Sequence, residues 1–308
     1  MLIDRRDALL LTGAALTLGS AAWAAQSQAP VVPRLLTRKI PSTGESVPVI
    51  GLGTSGAFDV GATPAERAEV EGVLKRFFAA GGTLIDTAPS YGRAEGVVGD
   101  LIVKLKPARK FLATKVSATG KKAGLEQMQH SFKALHASTI DLMQIHSLAD
   151  WQTHSATLRE MKAKKKFRYI GITHSRTSAN ADLAEVLRQD KWDWVQLNYS
   201  IETRDAEETL LPLAQELGVA VMVNRPFEDG KIFQRVADKP LPAWAEDVGC
   251  KSWAQFCLKY VLSHPAVTCA IPATANAAHM ADNLAAGRGV MPEQNWRAEM
   301  VRYFDSLG

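Results

Sequence analysis

Cysteine is scarce in this chain of 308 residues, and its positions exclude a thiolate metal centre. The three cysteines are Cys250, Cys257 and Cys269, and their spacing fits no zinc or iron–sulfur ligand pattern. Cys257 lies in an apolar helical pattern and Cys269 in an apolar strand pattern. We therefore predict buried free thiols and no metal site.

Positive charge is too sparse for a nucleic-acid-binding surface. The chain has 36 Lys and Arg residues against 32 Asp and Glu residues, for a formal net charge of +4. The densest basic run, Lys162 with Lys164, Lys165 and Lys166, closes a predicted helix, where cations complement the helix dipole. We interpret this run as a solvated helix end and expect no nucleic-acid partner.

A long hydrophobic run is also missing. The apolar stretch of residues 8–22 is interrupted by small and polar residues and is too short and too weakly apolar to favour a membrane span. Arg5 and Arg6 precede it, and a small-x-small cleavage motif follows at residues 22–24. We predict an export signal peptide at residues 1–24, a polar Pro-containing linker at 25–33, and no membrane span in the mature chain.

The type of export signal follows from the paired arginines. Their context, IDRRDALLL, resembles a twin-arginine signal, although Asp7 and Ala8 depart from the usual pattern and leave an ordinary secretory signal as the alternative. Twin-arginine export carries folded proteins, so a cofactor could be loaded in the cytoplasm first. We predict a periplasmic protein that uses the twin-arginine translocase during export.

The glycine-rich loop of a Rossmann nucleotide site is absent after the first predicted strand. Instead, strand and helix patterns alternate, and the strands are almost wholly apolar, as expected when both faces of a sheet are covered. This indicates a parallel α/β barrel, with a doubly wound sheet as the alternative. The predicted strands are 49–53, 83–87, 111–116, 141–146, 169–173, 194–199, 220–223 and 267–271. The predicted helices are 64–80, 94–105, 124–135, 154–165, 178–188, 206–217, 252–262 and 277–286.

Ionisable side chains end or follow three of these strands. Asp86, Lys115 and His146 lie at strand ends, and Tyr91 follows Asp86 closely. Because the carboxyl ends of parallel strands meet at one barrel mouth, we expect all four in one pocket. Tyr91 could give a proton, Lys115 would lower the Tyr91 pKa by stabilising the phenolate, and Asp86 would hold Lys115. His146 could hydrogen-bond a substrate oxygen, so this set suits protonation of an alkoxide during carbonyl reduction.

The stretch DTAPSYG at residues 86–92, followed by Glu95 and Gly99, resembles the signature of the aldo-keto reductases. Lys115 in ATKV and His146 in MQIH fall at the next two strands, as in that family. The resemblance implies that residues 34–308 form an α/β fold, a (β/α)8 TIM barrel plugged by an N-terminal β-hairpin. It also implies NAD(P)H-dependent reduction of an aldehyde or ketone with Tyr91 as general acid. The alternative is a non-catalytic exported barrel that binds a nucleotide or a protein partner.

The same resemblance implies a nicotinamide dinucleotide extended across the mouth. Gln196 occupies the position of a glutamine that holds the carboxamide, and Thr173 and His174 replace a Ser–Asn pair that assists it. Asn224 replaces an aromatic residue that stacks on the nicotinamide. Arg225 follows, where it could reach the pyrophosphate or neutralise the mouth.

The adenosine end would lie on the segment IPATANAAHMADN. Thr274, Asp282 and Asn283 suit hydrogen bonds to ribose and adenine. Ala273 and His279 replace a lysine and an arginine that grip a 2′-phosphate in the family, and an imidazole is a poor substitute for a guanidinium. The resemblance implies NADP(H), whereas the two replacements leave NAD(H) open.

The connection spanning residues 224–249 is long enough to form a lid or binding wall at the mouth. We expect a pocket with aromatic walls for a small-molecule carbonyl. The candidate wall residues are Phe58, Trp151, Tyr199, Phe227 and Trp244.

Overall fold

The computed structural model describes residues 34–308. The predicted signal peptide at 1–24 and the linker at 25–33 lie outside the described residues. Within the described part, no helix is both long and apolar enough to cross a membrane.

Eight parallel strands form the barrel that the sequence predicts. They run in sequence order around one sheet. Hydrogen bonds between its two edges bring the sheet to closure, with Gly51 N donating to Ala270 O at 2.9 Å and Ala270 N donating to Val49 O at 3.0 Å. The strands are β1 Thr37–Lys39, β2 Ser46–Pro48, β3 Leu52–Gly53, β4 Leu84–Asp86, β5 Phe111–Val116, β6 Ile140–His146, β7 Phe167–Thr173, β8 Trp194–Asn198, β9 Ala220–Asn224 and β10 Val267–Ala270.

Helices cover the outside of the barrel and lie close to their predicted bounds, with two additions. The helices are α1 Pro64–Ala79, α2 Ala94–Leu105, α3 Lys121–Ala134, α4 Trp151–Ala163, α5 Asn180–Gln189, α6 Leu210–Glu216, α7 Lys231–Arg235, α8 Trp253–Ser263, α9 Ala277–Ala286 and α10 Gln294–Asp305. The helices α7 and α10 are absent from the sequence-based prediction. The first helix begins at a capping box, in which the side chains of Thr63 and Glu66 satisfy each other's backbone N–H groups.

The amino-terminal half of the barrel interior is a separate apolar layer. The hairpin of β1 and β2 pairs antiparallel and contributes Ile40 and Val47 to this layer, which agrees with the predicted plug. Its other members include Leu84, Phe111, Leu142, Tyr169, Trp194 and Met222. A second and larger cluster packs the outer faces of the strands against the helices. All three cysteines are buried and free, as predicted.

The long connection after β9 is partly helical and is held down by the C-terminal helix. It contains α7, and its Arg235 Nε donates to the carbonyl of Gly308 at 3.0 Å. The Tyr303 hydroxyl of α10 donates to the Pro240 carbonyl at 3.0 Å. These contacts brace the middle of the connection from outside the barrel.

Candidate active site

A cavity of about 670 Å³ opens at the carboxyl ends of the strands. This volume is in the range of sites for small molecules and cofactors. Its wall includes Asp86, Tyr91, His146, Thr173, Gln196, Asn224, Arg225 and Phe227 from the predicted set, together with Thr54, Ser55, Ser175, Asp229 and Phe233. The predicted mouth of the barrel is therefore the location of the site.

Asp86 and Lys115 form a buried ion pair beneath the cavity. The Lys115 ammonium lies 2.6 Å from Asp86 Oδ2 and donates to the Thr87 carbonyl at 2.9 Å, and both side chains are at most 2% exposed. Burial opposes the positive charge, but Asp86 and then Tyr91 outweigh it and raise the Lys115 pKa above its ordinary value. Lys115 therefore stays charged at neutral pH.

Tyr91 lies over this pair, with the Lys115 ammonium 4.8 Å from the centre of its ring. The sequence predicted a lowered Tyr91 pKa, and that net direction is wrong. Burial is the largest influence and raises the pKa, whereas the charge on Lys115 lowers it by less. The hydroxyl therefore keeps its proton at neutral pH, as a proton donor must.

The His146 ring lies beside the Tyr91 ring. The two ring centres are 5.9 Å apart and the rings meet edge to face at 87°, while the Ser90 hydroxyl lies 3.5 Å from His146 Nδ1. Burial, and then the nearby Lys115 charge, lower the His146 pKa to about 4. A neutral imidazole has one N–H, which can donate to a substrate oxygen.

Two glutamines hold the other oxygen of Asp86. Gln144 Nε2 and Gln196 Nε2 each donate to Asp86 Oδ1 at 2.9 Å. Sequence reasoning missed Gln144, although a signal was present, because residues two apart on a strand share a face. A polar Gln144 two positions before His146 therefore has to point into the barrel.

Gln196 lines the cavity, but its amide is directed away from a ligand. Besides Asp86, its Nε2 donates to Gln144 Oε1 at 3.1 Å and lies 3.1 Å from Met222 Sδ. Its Oε1 accepts from Asn224 Nδ2 at 3.2 Å. The structure thus places Gln196 in the support of Asp86, which the predicted carboxamide role did not anticipate.

Asn224 is the last of three amide side chains joined by hydrogen bonds, after Gln144 and Gln196, and it belongs to the cavity wall. Its Nδ2 also lies 3.4 Å from the His174 carbonyl, and the residue is 9% exposed. Its Oδ1 is buried and meets no hydrogen-bond donor among residues 34–308. An unsatisfied buried acceptor is costly for the stability of the fold.

Arg225 is present at the mouth, but its guanidinium is already engaged. It pairs with Asp229 and donates to the Ser175 carbonyl at 3.2 Å. Arg225, Glu228 and Asp229 have φ values of 49°, 49° and 54°, a left-handed conformation that is unfavourable for residues other than glycine. This short strained turn is typical of functional edges.

The candidate adenosine residues lie beside the cavity lining, which reaches them at Ala273. Asp282 accepts from Ser252 Oγ and Gln255 Nε2, each at 2.6 Å, so it anchors α9 to the start of α8. Asn283 is 3% exposed and contributes to packing. His279 is exposed and Thr274 half-buried, so these two remain open to a ligand.

Only some of the residues predicted to assist the carboxamide or to form an aromatic wall lie in the cavity lining. Thr173 lines the cavity, but His174 does not, and its Nδ1 accepts from Arg176 N at 3.1 Å. Phe227 is in the wall as predicted, joined by Phe233, which was not predicted. The remaining wall candidates are wrong: Phe58 and Tyr199 are fully buried, Trp244 packs against Trp296 and Phe256, and Trp151 is outside the lining.

Comparison with known proteins gives one consistent family. A sequence model of the aldo/keto reductase family matches residues 49–299. The methylglyoxal reductase YeaE of Escherichia coli is 29% identical, with 78% of this chain and 85% of that protein covered. The NADH-specific methylglyoxal reductase of Escherichia coli is 27% identical, with 71% and 75% covered. The structure is similar to an aldo/keto reductase from Klebsiella pneumoniae in complex with NADP and acetate, at a TM-score of 0.70 and 27% identity, with 85% and 93% covered.

Proposed function

The chain belongs to the aldo/keto reductase family of NAD(P)-dependent oxidoreductases, and we propose that it reduces an aldehyde or ketone to the alcohol with Tyr91 as general acid. One observation carries the proposal. Tyr91 and His146 face the same cavity, directly above the buried pair of Lys115 and Asp86. This combination supplies a proton donor, a hydrogen-bond donor and a fixed positive charge at one point.

The protein's part in the reaction is to place and neutralise the carbonyl oxygen. When bound, a reduced nicotinamide supplies the hydride to the carbonyl carbon. His146, neutral because of its lowered pKa, donates to the carbonyl oxygen and orients it. Tyr91 transfers its proton to that oxygen as negative charge develops there.

The buried ion pair acts on the phenolate that Tyr91 leaves. The Lys115 charge stabilises the phenolate, and Asp86 keeps Lys115 in place and balances its charge. The raised Tyr91 pKa is compatible with this role, because an alkoxide is far more basic than a phenolate and still takes the proton. Burial therefore prevents early loss of the proton without blocking its transfer.

The cavity suits a nicotinamide dinucleotide. Its wall includes Thr173, Asn224 and Arg225, whose polar side chains would meet amide and phosphate groups. Ala273 and His279 offer no fixed cation for a 2′-phosphate. We therefore propose that NADH and NADPH are accepted with similar affinity. The NADH-specific relative from Escherichia coli supports the use of NADH.

A small carbonyl is the substrate class we favour. The cavity wall includes the small polar residues Thr54 and Ser55 and the aromatic Phe227. Relatives at 27–29% identity reduce methylglyoxal, which is small and polar. We propose methylglyoxal and similar short carbonyls as the first compounds to test.

Turnover of a carbonyl panel by the purified protein tests the function. We expect oxidation of NADH or NADPH that depends on an added aldehyde or ketone, with methylglyoxal among the active compounds. Tight dinucleotide binding without turnover of any carbonyl would contradict the proposal and favour a non-catalytic nucleotide-binding barrel.

Export is proposed from residues 1–24 alone. We propose that the twin-arginine translocase carries the folded protein to the periplasm, with its cofactor already bound. Replacing Arg5 and Arg6 by lysines should retain the protein in the cytoplasm, as judged by cell fractionation. Periplasmic protein at the wild-type level in that variant would favour an ordinary secretory signal.

A further inference from the structure

We propose that Gln144 is a positioning residue for carbonyl reduction, and that it supports the proton donor Tyr91 through the carboxylate of Asp86. The inference rests on the proposed function, because it assumes that Tyr91 gives a proton to the substrate. It assigns a part in the reaction to a residue that lies outside the cavity lining.

The strand β6 places Gln144 beneath the site. Gln144 pairs in register with Lys115 of the neighbouring strand β5, and it shares the inward face of β6 with His146, two residues further along. Its side chain is fully buried. Gln144 therefore has no surface for a ligand, and any influence on the reaction has to pass through its neighbours.

The hydrogen-bond partners of the Gln144 amide are Asp86 and Gln196. Its Nε2 donates to Asp86 Oδ1 at 2.9 Å, and this orientation follows from chemistry, because an ionised carboxylate accepts hydrogen bonds and cannot donate them. Its Oε1 accepts from Gln196 Nε2 at 3.1 Å. The amide thus uses one donor and one acceptor inside the barrel.

The two oxygens of Asp86 have separate partners. Oδ2 lies 2.6 Å from the Lys115 ammonium, whereas Oδ1 accepts from Gln144 and Gln196 at 2.9 Å each. The two amides fix the plane of the carboxylate and so keep Oδ2 towards Lys115. They also offset part of its negative charge, because a hydrogen bond to an ionised acceptor stabilises that charge.

Tyr91 responds to both charges of the buried pair. After burial, the largest influences on its pKa are the Lys115 charge, which lowers the pKa, and the Asp86 charge, which raises it. A phenolate forms on Tyr91 as the proton leaves, so a less well neutralised Asp86 should slow this step. By donating to Asp86, Gln144 leaves more of the Lys115 charge to stabilise the phenolate.

Two substitutions separate a hydrogen-bonding role from a packing role. Gln144→Met keeps the length of the side chain and removes both polar groups. Gln144→Glu introduces a carboxyl group that, when protonated, has one O–H donor and one carbonyl acceptor, the two functions that the Gln144 amide uses. The nearby Asp86 charge disfavours the ionised form of this carboxyl, so it should keep its proton to a higher pH than an exposed carboxyl does.

Single-turnover reduction by the full-length protein, with a saturating reduced dinucleotide, measures the effect. We expect Gln144→Met to be roughly tenfold slower than the wild type from about pH 6 to about pH 9, a part of what one hydrogen bond to a charged group contributes. Gln144→Glu should be close to the wild type at the acid end of this range and should slow, relative to the wild type, as its carboxyl ionises. Because Gln144 does not line the cavity, dinucleotide affinity by calorimetry should change less than the rate in both variants.

A pH dependence seen only in Gln144→Glu belongs to the introduced carboxyl. The native titratable groups that interact with the charges of Asp86 or Lys115 are Tyr91, Glu95, His146 and Cys269. These groups are present in the wild-type protein and in both variants, so their titration affects all three pH profiles.

Leu142→Ala is the matched control for a loss of stability alone. Leu142 lies two residues before Gln144 on the same face of β6 and is also fully buried, but it has no polar atom in its side chain. This variant should keep a rate per folded molecule near the wild-type value at each pH.

Three results would overturn the inference. The first is a wild-type rate in Gln144→Met, and the second is an equal loss of rate in Gln144→Met and Gln144→Glu at every pH. The third is a loss of rate in Leu142→Ala as large as the loss in Gln144→Met.

Gln144→Glu decides alone if circular dichroism shows that Gln144→Met does not fold. At the acid end of the range a rate near that of the wild type supports the inference, and a rate roughly tenfold lower contradicts it. A wild-type protein that reduces no carbonyl would instead contradict the proposed function itself.

Discussion

The barrel interior has two neighbouring layers of side chains that lie two residues apart along each strand. One layer is apolar and the other is polar. Towards the amino ends of the strands the inward residues are Leu84, Ala113, Leu142, Trp194 and Met222. One step further along the same faces they are Asp86, Lys115, Gln144, Gln196 and Asn224. All ten side chains are at most 9% exposed, so the two layers differ in chemistry and hardly in burial.

The lower, apolar layer mainly stabilises the fold, whereas the upper, polar layer also forms the ligand site. In the lower layer, apolar side chains contribute by removing surface from water and need no particular partner. In the upper layer every buried polar atom needs a partner, so the orientation of each group depends on the next. A change in the lower layer should cost stability alone, whereas a change in the upper layer should alter both stability and the ligand site.

The largest effect is expected when the buried pair of the upper layer is broken. Lys115→Met leaves Asp86 charged and buried, which should lower the free energy of unfolding by about 3–5 kcal/mol and abolish most carbonyl reduction. Urea unfolding and steady-state rates would measure both. A second change, Asp86→Leu, should restore only part of the stability, because Gln144 and Gln196 then lose their acceptor. Full recovery would mean that the amides do not depend on Asp86.

A truncation in the lower layer should behave differently. Leu142 is fully buried, and Leu142→Ala should lower the free energy of unfolding by about 2–5 kcal/mol through lost burial and a cavity. The rate per folded molecule should stay near the wild-type value, because no polar group changes. A fall in that rate comparable to the one in Lys115→Met would show that the layers are not separable.

Acid should lower the stability of both ends of the barrel through two half-buried histidines. Burial first, and then nearby cations, lower the pKa of His146 at the mouth and of His264 at the end of α8 to about 4. Between about pH 4 and 6.5 the unfolded chain binds protons that the folded chain does not, so the stability falls as the pH falls. His146→Gln and His264→Gln should each make unfolding less dependent on pH between 6.5 and about 5. An unchanged slope in both variants would contradict these protonation states.

The smallest effect concerns the outer rim, away from both layers. Because Ala273 and His279 supply no fixed cation, the ratio of NADPH to NADH affinity should be below about tenfold, less than one charge-assisted hydrogen bond can supply. Ala273→Lys should raise this ratio with little change in the affinity for NADH. A thousandfold preference for NADPH in the wild-type protein would mean that Arg225 or another cation holds the 2′-phosphate.

Much of this arrangement could be predicted from the sequence, because it depends on local patterns. Asp86, Lys115 and His146 end apolar strands, and parallel strands bring their carboxyl ends together. The assignment of eight strands and an N-terminal hairpin follows from the same patterns, whereas the plugging position of the hairpin was implied by the resemblance to the family. The helix α10 was missed because its residues are mostly polar, with Met300 and Phe304 as its buried anchors.

The rest depends on contacts that no local pattern contains. The Tyr91 pKa is decided by how deeply the ring is buried, and sequence reasoning weighed only the charge of Lys115. Gln196 is directed inward because Gln144 and Asp86 meet it across the barrel, and the pairing of Arg225 with Asp229 follows from a strained turn. Aromatic residues such as Tyr199 and Trp244 look alike in sequence whether they line a core or a cavity.

The most direct measurement of the central claim is the rate of a single turnover in Tyr91→Phe, with a saturating reduced dinucleotide and a carbonyl that the wild-type protein reduces. The variant keeps the ring against Lys115 and removes only the hydroxyl. We predict a rate roughly a hundredfold to ten-thousandfold below the wild-type rate, with dinucleotide affinity unchanged. A single-turnover rate equal to that of the wild-type protein would show that Tyr91 does not donate the proton.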